Sequence, residues 1–422
     1  MGLSVEAQPA MKETRHHKAI FDFDEPAPDA PALRVLFISS VGELGGAERS
    51  LYEAVKELPR ERIEAHLCAP PASPLGRLLG ALQVPVHEVP LRHFRRSLNP
   101  HVLYGQVRAL YQGSRQIIEL CQAHGIELLH ANTNSAALVG WEAARGARLP
   151  LIWHCRDLAT PHGIARILGS RAAAVVAISG AVEAHLLKEG VEPRKVTRIE
   201  NGIDLSPFSP SGLYAAVRAR VRAGLGIEAN RPVLLTVGAY VPWKKHELFL
   251  ETLARVRRRL PSAVGLLAGS DKLKENAAYV SSLHALARHL ALRPEALKVL
   301  DEREDVPELM MAADVFVSCS ENEPFGRVLA EAGASGLPVV STRSGGKPEI
   351  IEDNVTGILT ATGDAEALAA ACTRLLSDPV LRRQMGGAAH KRVTALFDVR
   401  RTACELAALY ESILRPQPAG KV

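Results

Sequence analysis

The cysteines of this 422-residue chain lack the spacing of a zinc site or a disulfide scaffold. All six stand far from one another, and no two form a C-x-x-C pair (Cys68, Cys121, Cys155, Cys319, Cys372 and Cys404). Isolated thiols of this kind are typical of a reduced intracellular protein, because extracellular proteins tend to pair their cysteines. No other clustered set of metal ligands stands out along the chain. The sequence therefore predicts free thiols, a cytoplasmic location and no metal cofactor.

Long apolar runs and a strong charge imbalance are also missing. No run reaches the roughly 20 residues of a membrane-spanning helix. Residues 1–30 lack a signal-peptide core, and residues 1–32 are predicted to be a disordered tail. Lys and Arg exceed Asp and Glu by 51 − 46 = 5, an excess too small to indicate a nucleic-acid-binding protein. The phosphate loop G-x-x-x-x-G-K-[ST], the zinc motif H-E-x-x-H and the nucleophile elbow G-x-S-x-G are absent, which excludes the enzymes built on them.

The chain contains many short apolar runs that alternate with helix-forming segments. The runs 33–39 and 233–238 each begin such a series, and a chain of this length fits two or three domains. Short apolar runs followed by glycine or acidic residues are typical of buried parallel strands that end in loops. The alternation predicts an α/β protein with doubly wound sheets, whose ligands bind at the carboxyl ends of the strands.

Residues 318–349 carry the strongest signal for a site. Glu323 precedes a predicted helix and Glu331 lies eight residues later, so both can lie along one helix face. The backbone N–H groups of Phe325 to Val328 would be the unpaired donors of that helix, which suit a phosphate or a sugar hydroxyl. A capping carboxylate plus a solvated one is the alternative interpretation. The turn Gly345 to Glu349 favours a site, because it places a second loop beside the first.

Three segments together resemble the donor-binding signature of the retaining glycosyltransferases of family 4. They are E-P-F-G-R-V-L-A-E at 323–331, A-S-G-L-P-V-V-S-T at 334–342 and G-G-K-P-E at 345–349. The resemblance implies the GT-B fold, in which two Rossmann-like domains face each other across a cleft. It implies an acceptor domain over residues 33–205, a nucleotide-sugar donor domain over 206–395, and a C-terminal helix over 396–422 that packs back on the first domain.

The resemblance also implies which residues act. The segment Gly45-Gly46-Ala47-Glu48 matches the G-G-A-E that faces the donor phosphates in the family, although a tight strand–helix turn is an equal alternative. Glu323 is expected to act at the sugar, together with Arg156 and His154 from the first domain. The expected donor-binding residues are Gly45, Gly46, Lys244, Arg303, Phe325, Gly326, Arg327, Val328 and Glu331.

Two positions depart from the family pattern. The family usually has G-R-x-x-x-x-K-G after the first strand of its second domain, where Arg and Lys bind the β-phosphate; Lys244 matches, but Ala239 replaces the arginine. The family histidine of P-x-x-x-x-x-H-D falls on Arg156, and His154 lies two residues earlier. We hypothesise that Arg156 supplies the missing cation beside Lys244. The alternatives are a pair with a carboxylate such as Asp157, a buried structural role for His154, or supply of the charge by Lys245 or Arg327.

Leu91 to Arg96 forms a basic segment with an aromatic residue inside it. This composition fits either a solvated loop or contact with an anionic membrane through Arg92, Phe94, Arg95 and Arg96.

The predicted activity is transfer of a sugar from a nucleotide-diphosphate donor to a glycan, lipid-linked or small-molecule acceptor, with retention of configuration and without a cofactor. Two alternatives remain, an epimerase or hydrolase of the same fold and an inactive protein that binds sugar nucleotides.

Overall fold

The first half of the chain forms one parallel sheet. The computed structural model describes residues 31–92, 94, 99–160, 163–208, 214–271 and 275–415, so residues 1–30 of the predicted tail lie outside it. The seven strands are β1 Leu33–Ile38, β2 Ile63–Ala69, β3 Val86–Glu88, β4 Leu128–Ala131, β5 Leu151–Cys155, β6 Ala174–Ala177 and β7 Val196–Arg198, in the order β3-β2-β1-β4-β5-β6-β7. The helices between them are α1 Gly46–Lys56, α2 Pro74–Ala81, α3 Pro100–His124, α4 Asn134–Ala147, α5 Ile164–Arg171 and α6 Gly180–Lys188.

The second half forms another sheet with the same arrangement. Its strands are β8 Val233–Val237, β9 Val264–Ala268, β10 Leu297–Leu300, β11 Val315–Ser318, β12 Val339–Thr342 and β13 Gly357–Thr360, in the order β10-β9-β8-β11-β12-β13. Its helices are α7 Tyr214–Gly224, α8 His246–Arg259, α9 Ala277–His289, α10 Val306–Ala312, α11 Arg327–Ala334, α12 Lys347–Ile350, α13 Ala365–Ser377 and α14 Pro379–Leu396. Both sheets follow the doubly wound order 3-2-1-4-5-6 of Rossmann folds. The predicted fold class is confirmed.

Strand order and register place the loops that matter side by side. In a doubly wound sheet the order reverses between the first and fourth strands, and ligands bind outside that point. In the first sheet Ile38 is in register with Ala131, so the loops after β1 and β4 leave the sheet at one level. In the second sheet Phe316 of β11 is in register with Leu235 of β8. Each domain therefore presents two adjacent loops at its switch point.

The last helix, α15 (Val399–Leu414), lies against the first sheet rather than the second. Its apolar face, including Leu406 and Tyr410, packs with the residues of β1 and α1. The chain re-enters the first domain beside Gly202, where an added Cβ would lie 2.5 Å from the Cα of Val399. Only glycine leaves room for this approach, so the two connections between the domains run side by side.

The two domains also touch directly near the cleft. The Ser179 hydroxyl donates to the carbonyl of Pro324 at 2.6 Å. The carboxylate of Glu349 accepts hydrogen bonds from the backbone N–H groups of Gly180 and Ala181 at 2.7 and 2.8 Å. A carboxylate from the second domain thus caps α6 of the first, where its charge also complements the helix dipole.

The cysteines behave as the sequence predicts. All six lie within the described residues and form no disulfide; five of them are buried. Within the same described ranges, none of the helices combines the length and the apolar character needed to span a bilayer.

Candidate active site

The loop after β1 leads into α1 at an open helix N-terminus. Gly45 is the residue before the helix, and its backbone N–H donates to Oε2 of Glu48 at 3.2 Å. At Gly46 an added Cβ would meet no atom within 4 Å. The side of this first turn at Gly46 therefore borders open space, and Glu48 occupies the N–H of Gly45. Gly45 and Gly46 lie at the start of α1, after the loop that follows β1.

The opposite wall is the loop between β11 and α11. Gly326 precedes the helix with φ +106°, a conformation that side chains with a Cβ rarely adopt. The turn at Gly345 and Gly346 packs against this loop so closely that an added Cβ at Gly345 would lie 2.0 Å from the carbonyl oxygen of Glu323. The glycine pair of G-G-K-P-E therefore fixes the backbone around Glu323.

Lys244 and Glu323 form an ion pair at this wall. The Nζ atom of Lys244 lies 2.8 Å from Oε2 of Glu323 and 4.2 Å from the centroid of the Trp243 ring. Both partners are largely shielded from solvent, with side-chain exposures of 16% and 10%. The predicted donor-binding cation and the predicted catalytic carboxylate are thus in direct contact.

A second lysine, Lys347, lies near Glu323 in the protein interior. Lys347 is fully buried, and its Nζ donates to the carbonyl of Ser320 at 2.5 Å and to Oγ1 of Thr342 at 2.6 Å. Burial lowers the pKa of Lys347 to about 8, although the nearby charge of Glu323 opposes the shift. Lys347 belongs to the G-G-K-P-E motif, which is the sequence signal for it, although the sequence alone predicts no role for this lysine.

Arg327 connects the two domains. Its Nη2 lies 2.5 Å from Oε1 of Glu53 on α1, and its Nε lies 2.8 Å from Oε1 of Glu331. Burial opposes the charge on Arg327, but the two carboxylates outweigh it and raise the pKa of Arg327. Burial raises the pKa of Glu331, and Arg327 counteracts that rise. Arg327 and Glu331 therefore act as one buried charged unit.

Arg156 lies on the first-domain side of the same network. Its guanidinium donates to Oδ1 of Asn132 at 2.7 Å and to Oδ1 of Asn201 at 3.0 Å. Asn201 in turn donates to the Ser50 hydroxyl at 3.1 Å, and Arg327 lies 3.3 Å from the same hydroxyl. Burial lowers the pKa of Arg156 to about 10, so it remains a cation at neutral pH. The polar chain thus runs from Arg156 across the cleft to Arg327.

The proposed pair of Arg156 with Asp157 does not form. The Asp157 carboxylate accepts instead from Asn134 at 2.8 Å and from the backbone N–H of Ala159 at 3.0 Å. It therefore holds the loop after β5. The guanidinium of Arg156 contacts the two asparagines instead, and its Nη2 lies 3.3 Å from Nδ1 of His154.

His154 lies deeper, beneath α15. Its Nδ1 is 3.1 Å from Nε2 of His130, and Nδ1 of His130 is 3.0 Å from the hydroxyl of Tyr410. Burial lowers the pKa of His130 to about 3 and that of His154 well below its ordinary value, so both imidazoles are neutral. Nε2 of His154 has no hydrogen-bond partner among the described residues. These contacts favour a buried structural role over contact with a sugar.

Three predicted donor-binding residues remain. Phe325 and Val328 lie at the start of α11, and Arg303 lies after β10. The Phe325 ring is buried and packs edge-on against Phe397 at 5.4 Å, so only its backbone is placed to contact a ligand. Val328, in the first turn of α11, is partly exposed. Arg303 follows the edge strand β10 and forms a bidentate pair with Asp305 at 2.6–2.7 Å. That strand is two positions from β8, so the structure does not bring Arg303 together with Lys244 and Glu323.

Sequence reasoning missed the polar residues of α1 that face the cleft. Gly46, Ser50 and Glu53 are spaced four and then three residues apart, which aligns them on one helix face. Ser50 and Glu53 are both buried and both contact Arg327. The helical spacing from the glycine pair was the signal that would have found them.

Comparison with known proteins agrees with this architecture. Residues 44–207 match the model of Glycosyltransferase Family 4, and residues 217–392 match that of Glycosyl transferases group 1. The chain is 30% identical over 311 residues to a D-inositol 3-phosphate glycosyltransferase of Saccharomonospora viridis, covering 68% of this chain and 70% of that protein.

Two further relatives extend the comparison. The putative glycosyltransferase YtcC of Bacillus subtilis is 31% identical over 251 residues, which are 58% of this chain and 61% of YtcC. The crystal structure of Alr3699/HepE from Anabaena in complex with UDP and glucose superposes with a TM-score of 0.78 at 28% identity, over 90% of this chain and all of that one. The chain therefore belongs to glycosyltransferase family 4 and has the GT-B fold.

Proposed function

We propose that the protein transfers a hexose from a UDP-sugar to an acceptor with retention of the anomeric configuration. The observation that carries the proposal is the polar chain across the cleft, which joins Arg156 and Arg327 between two helix N-termini. A departing diphosphate needs cations and aimed N–H groups where negative charge develops. The bound UDP and glucose of the Anabaena relative support uracil as the base and a hexose as the sugar.

The cleft residues take distinct parts in this reaction. The N–H groups of α1 and α11 and the cation of Lys244 bind the diphosphate, and Glu331 accepts hydrogen bonds from the ribose. Glu323 contacts the sugar once the donor displaces it from Lys244. The acceptor oxygen bonds to the anomeric carbon on the face from which the phosphate oxygen leaves, and that phosphate oxygen takes the acceptor proton. Arg156 and Arg327 of the polar chain stabilise the negative charge of the departing diphosphate, so no metal is required.

The acceptor is proposed to approach along α3. This helix begins after the carboxyl end of β3, on the cleft side of the sheet, and most residues of its first half are exposed. Five large apolar side chains there are 42–70% exposed (Val102, Leu103, Tyr104, Val107 and Tyr111), whereas Leu110 packs against the core. Arg108 and Arg115 are exposed among them. An apolar stripe with basic neighbours fits an anionic lipid surface, and therefore a lipid-linked acceptor.

The basic segment Leu91 to Arg96 falls only partly within the described residues. Arg92 is exposed, whereas Phe94 is half-buried against the first core and its backbone N–H donates to the Ser135 hydroxyl at 3.1 Å. Arg95 and Arg96 lie outside the described residues. The aromatic residue of this segment thus packs inward, and α3 replaces it as the apolar part of the proposed surface.

A thermal-shift screen across UDP-, GDP- and ADP-sugars tests the donor, because a ligand that binds only the folded state raises Tm. We expect the largest rise with a UDP-hexose. Proton NMR of the product formed with lipid-linked and soluble acceptors then tests the reaction, and the product should keep the anomeric configuration of the donor. Conversion of the donor without any acceptor would identify an epimerase or hydrolase. Tight binding without turnover on every acceptor would identify an inactive binding protein.

A further inference from the structure

Three histidines from distant parts of the first domain meet on the face of the sheet that α3 covers. His66 lies on β2, His87 on β3 and His124 in the last turn of α3. One ring nitrogen of each lies within 4.8 Å of the other two. These residues are separated by 21 and 37 positions, so they form no cluster in the sequence, and only the fold brings them together.

The distances fit the coordination of one ion. Nδ1 of His66 and Nε2 of His87 are 3.1 Å apart. Two nitrogens bound to a tetrahedral Zn²⁺ at about 2.0–2.1 Å would lie roughly 3.3 Å from each other. The nitrogen of His124 is within the same group, so a small side-chain rotation brings it into the same sphere. The spacing therefore already approaches that of a three-histidine site.

A carboxylate orients the innermost ligand. Oε1 of Glu64 lies 3.2 Å from Nε2 of His66. In the tautomer with the proton on Nε2, this N–H donates a hydrogen bond to the carboxylate, and Nδ1 has a lone pair directed at His87. Histidines that bind metals commonly donate their other N–H to a carboxylate in this way. The arrangement supplies a second feature of a metal site, independent of the clustering.

The exposure of the three side chains is also suitable. His66 is buried, His87 is half-buried and His124 is exposed, which leaves the outer side open to a water ligand. Imidazole nitrogens prefer Zn²⁺, Cu²⁺ and Ni²⁺ to Mg²⁺ or Ca²⁺.

We propose that His66, His87 and His124 bind one first-row divalent metal ion, Zn²⁺ first among them, at a site separate from the cleft. The bound ion would join the carboxyl end of α3 to the two outer strands of the sheet. Because the amino end of α3 projects beside the cleft, the ion would stiffen the helix along which the acceptor is proposed to approach.

The test uses the full-length protein treated with a chelator and then titrated with Co²⁺, whose four-coordinate complexes absorb visible light strongly. His16 and His17, which lie outside the described residues, are replaced by glutamine in every protein compared. The parent, which lacks only His16 and His17, should bind one equivalent of Co²⁺. Zn²⁺ should displace the Co²⁺ and raise Tm by about 5–10 °C at saturation. His124→Gln should weaken binding at least about tenfold.

His289→Gln is the matched control, since His289 is also an exposed histidine in the last turn of a helix, α9. It should bind like the parent. Glu64→Gln should weaken binding by about 10- to 100-fold while leaving the metal-free Tm unchanged, as expected of a residue that orients a ligand. Equal affinity in the parent and His124→Gln, or no saturable binding at about tenfold excess of metal, would overturn the proposal.

Discussion

The Nζ atom of Lys244 lies 2.8 Å from Oε2 of Glu323, so the cation predicted to bind the diphosphate is paired with the carboxylate predicted to contact the sugar. A donor that inserts its phosphate between them would exchange one anion for another around Lys244. The carboxylate would then be released at the position of the sugar. The two residues are therefore expected to affect different kinetic parameters.

Lys244→Met should weaken UDP binding by about 10- to 150-fold, because a hydrogen bond to a charged group contributes about 1.5–3 kcal/mol. Glu323→Gln should lower turnover sharply and leave the affinity for UDP almost unchanged. Isothermal titration with UDP and initial rates with the donor sugar separate the two effects. If Glu323→Gln lost affinity and turnover equally, its role would be to hold Lys244.

Glu331→Ala should weaken UDP binding by a similar factor of about 10 to 150, since the ribose would lose a charged acceptor. Glu53→Gln is the control, because Glu53 also pairs with Arg327 but lies on α1. Calorimetry should show near-normal affinity for the control. An equal loss in both variants would mean that Glu331 acts only by holding Arg327.

Arg156→Ala should reduce turnover by about 10²- to 10³-fold, the size of effect seen when one transition-state donor is removed. Ala239→Arg in that background should partly restore it, because a cation would return to the phosphate site. Arg156→Lys, which keeps the charge, should lose less than the alanine variant. A well-folded double variant without any recovery of rate would reject the exchange.

The protein should float with anionic liposomes at low salt and dissociate at high salt, because exposed charges are screened as ionic strength rises. Replacing Tyr104, Val107 and Tyr111 by serine, or removing the charges of Arg92, Arg95 and Arg96, should abolish flotation. Ile167→Ser, which removes a single exposed apolar side chain on α5, is the control and should float normally. Binding that ignores lipid charge would favour a soluble acceptor.

The contribution of Glu200 to the free energy of unfolding should fall as the pH rises from about 4.5 to 7, because its carboxyl loses a proton over that range. Burial, reinforced by Glu349, raises the pKa of Glu200 from 4.5 to about 7. The folded state therefore binds this proton more tightly than the unfolded state, and up to about 3 kcal/mol of stability is lost over that window.

Glu200→Gln should remove this dependence. The difference in unfolding free energy between the wild type and the variant should shrink from pH 4.5 to 7 and then reverse or level off. Glu366→Gln, which removes an exposed carboxylate on α13, controls for the loss of one charge. A difference that stays constant across the window would refute the assignment.

The sequence allows the strands, the fold class and the donor loop to be predicted, because each depends on neighbouring residues. Apolar runs such as Val315–Ser318 are buried as their composition requires. The partners of the site residues could not be predicted in the same way. Glu349 caps α6 from 169 residues away, and Ser50 meets Arg327 across 277 residues. Such contacts depend on how the two domains face each other, which local spacing does not encode.

The helix α15 has a consequence for how the protein is made. One layer of the first domain, around Phe37 and Leu51, is completed only by side chains of 399–410. Translation at about 5–20 residues per second would leave that layer uncovered for roughly 10–40 s while the second domain is synthesised. During that interval an apolar face of the first sheet is available to chaperones and to other nascent chains. Truncation before residue 399 would make that exposure permanent.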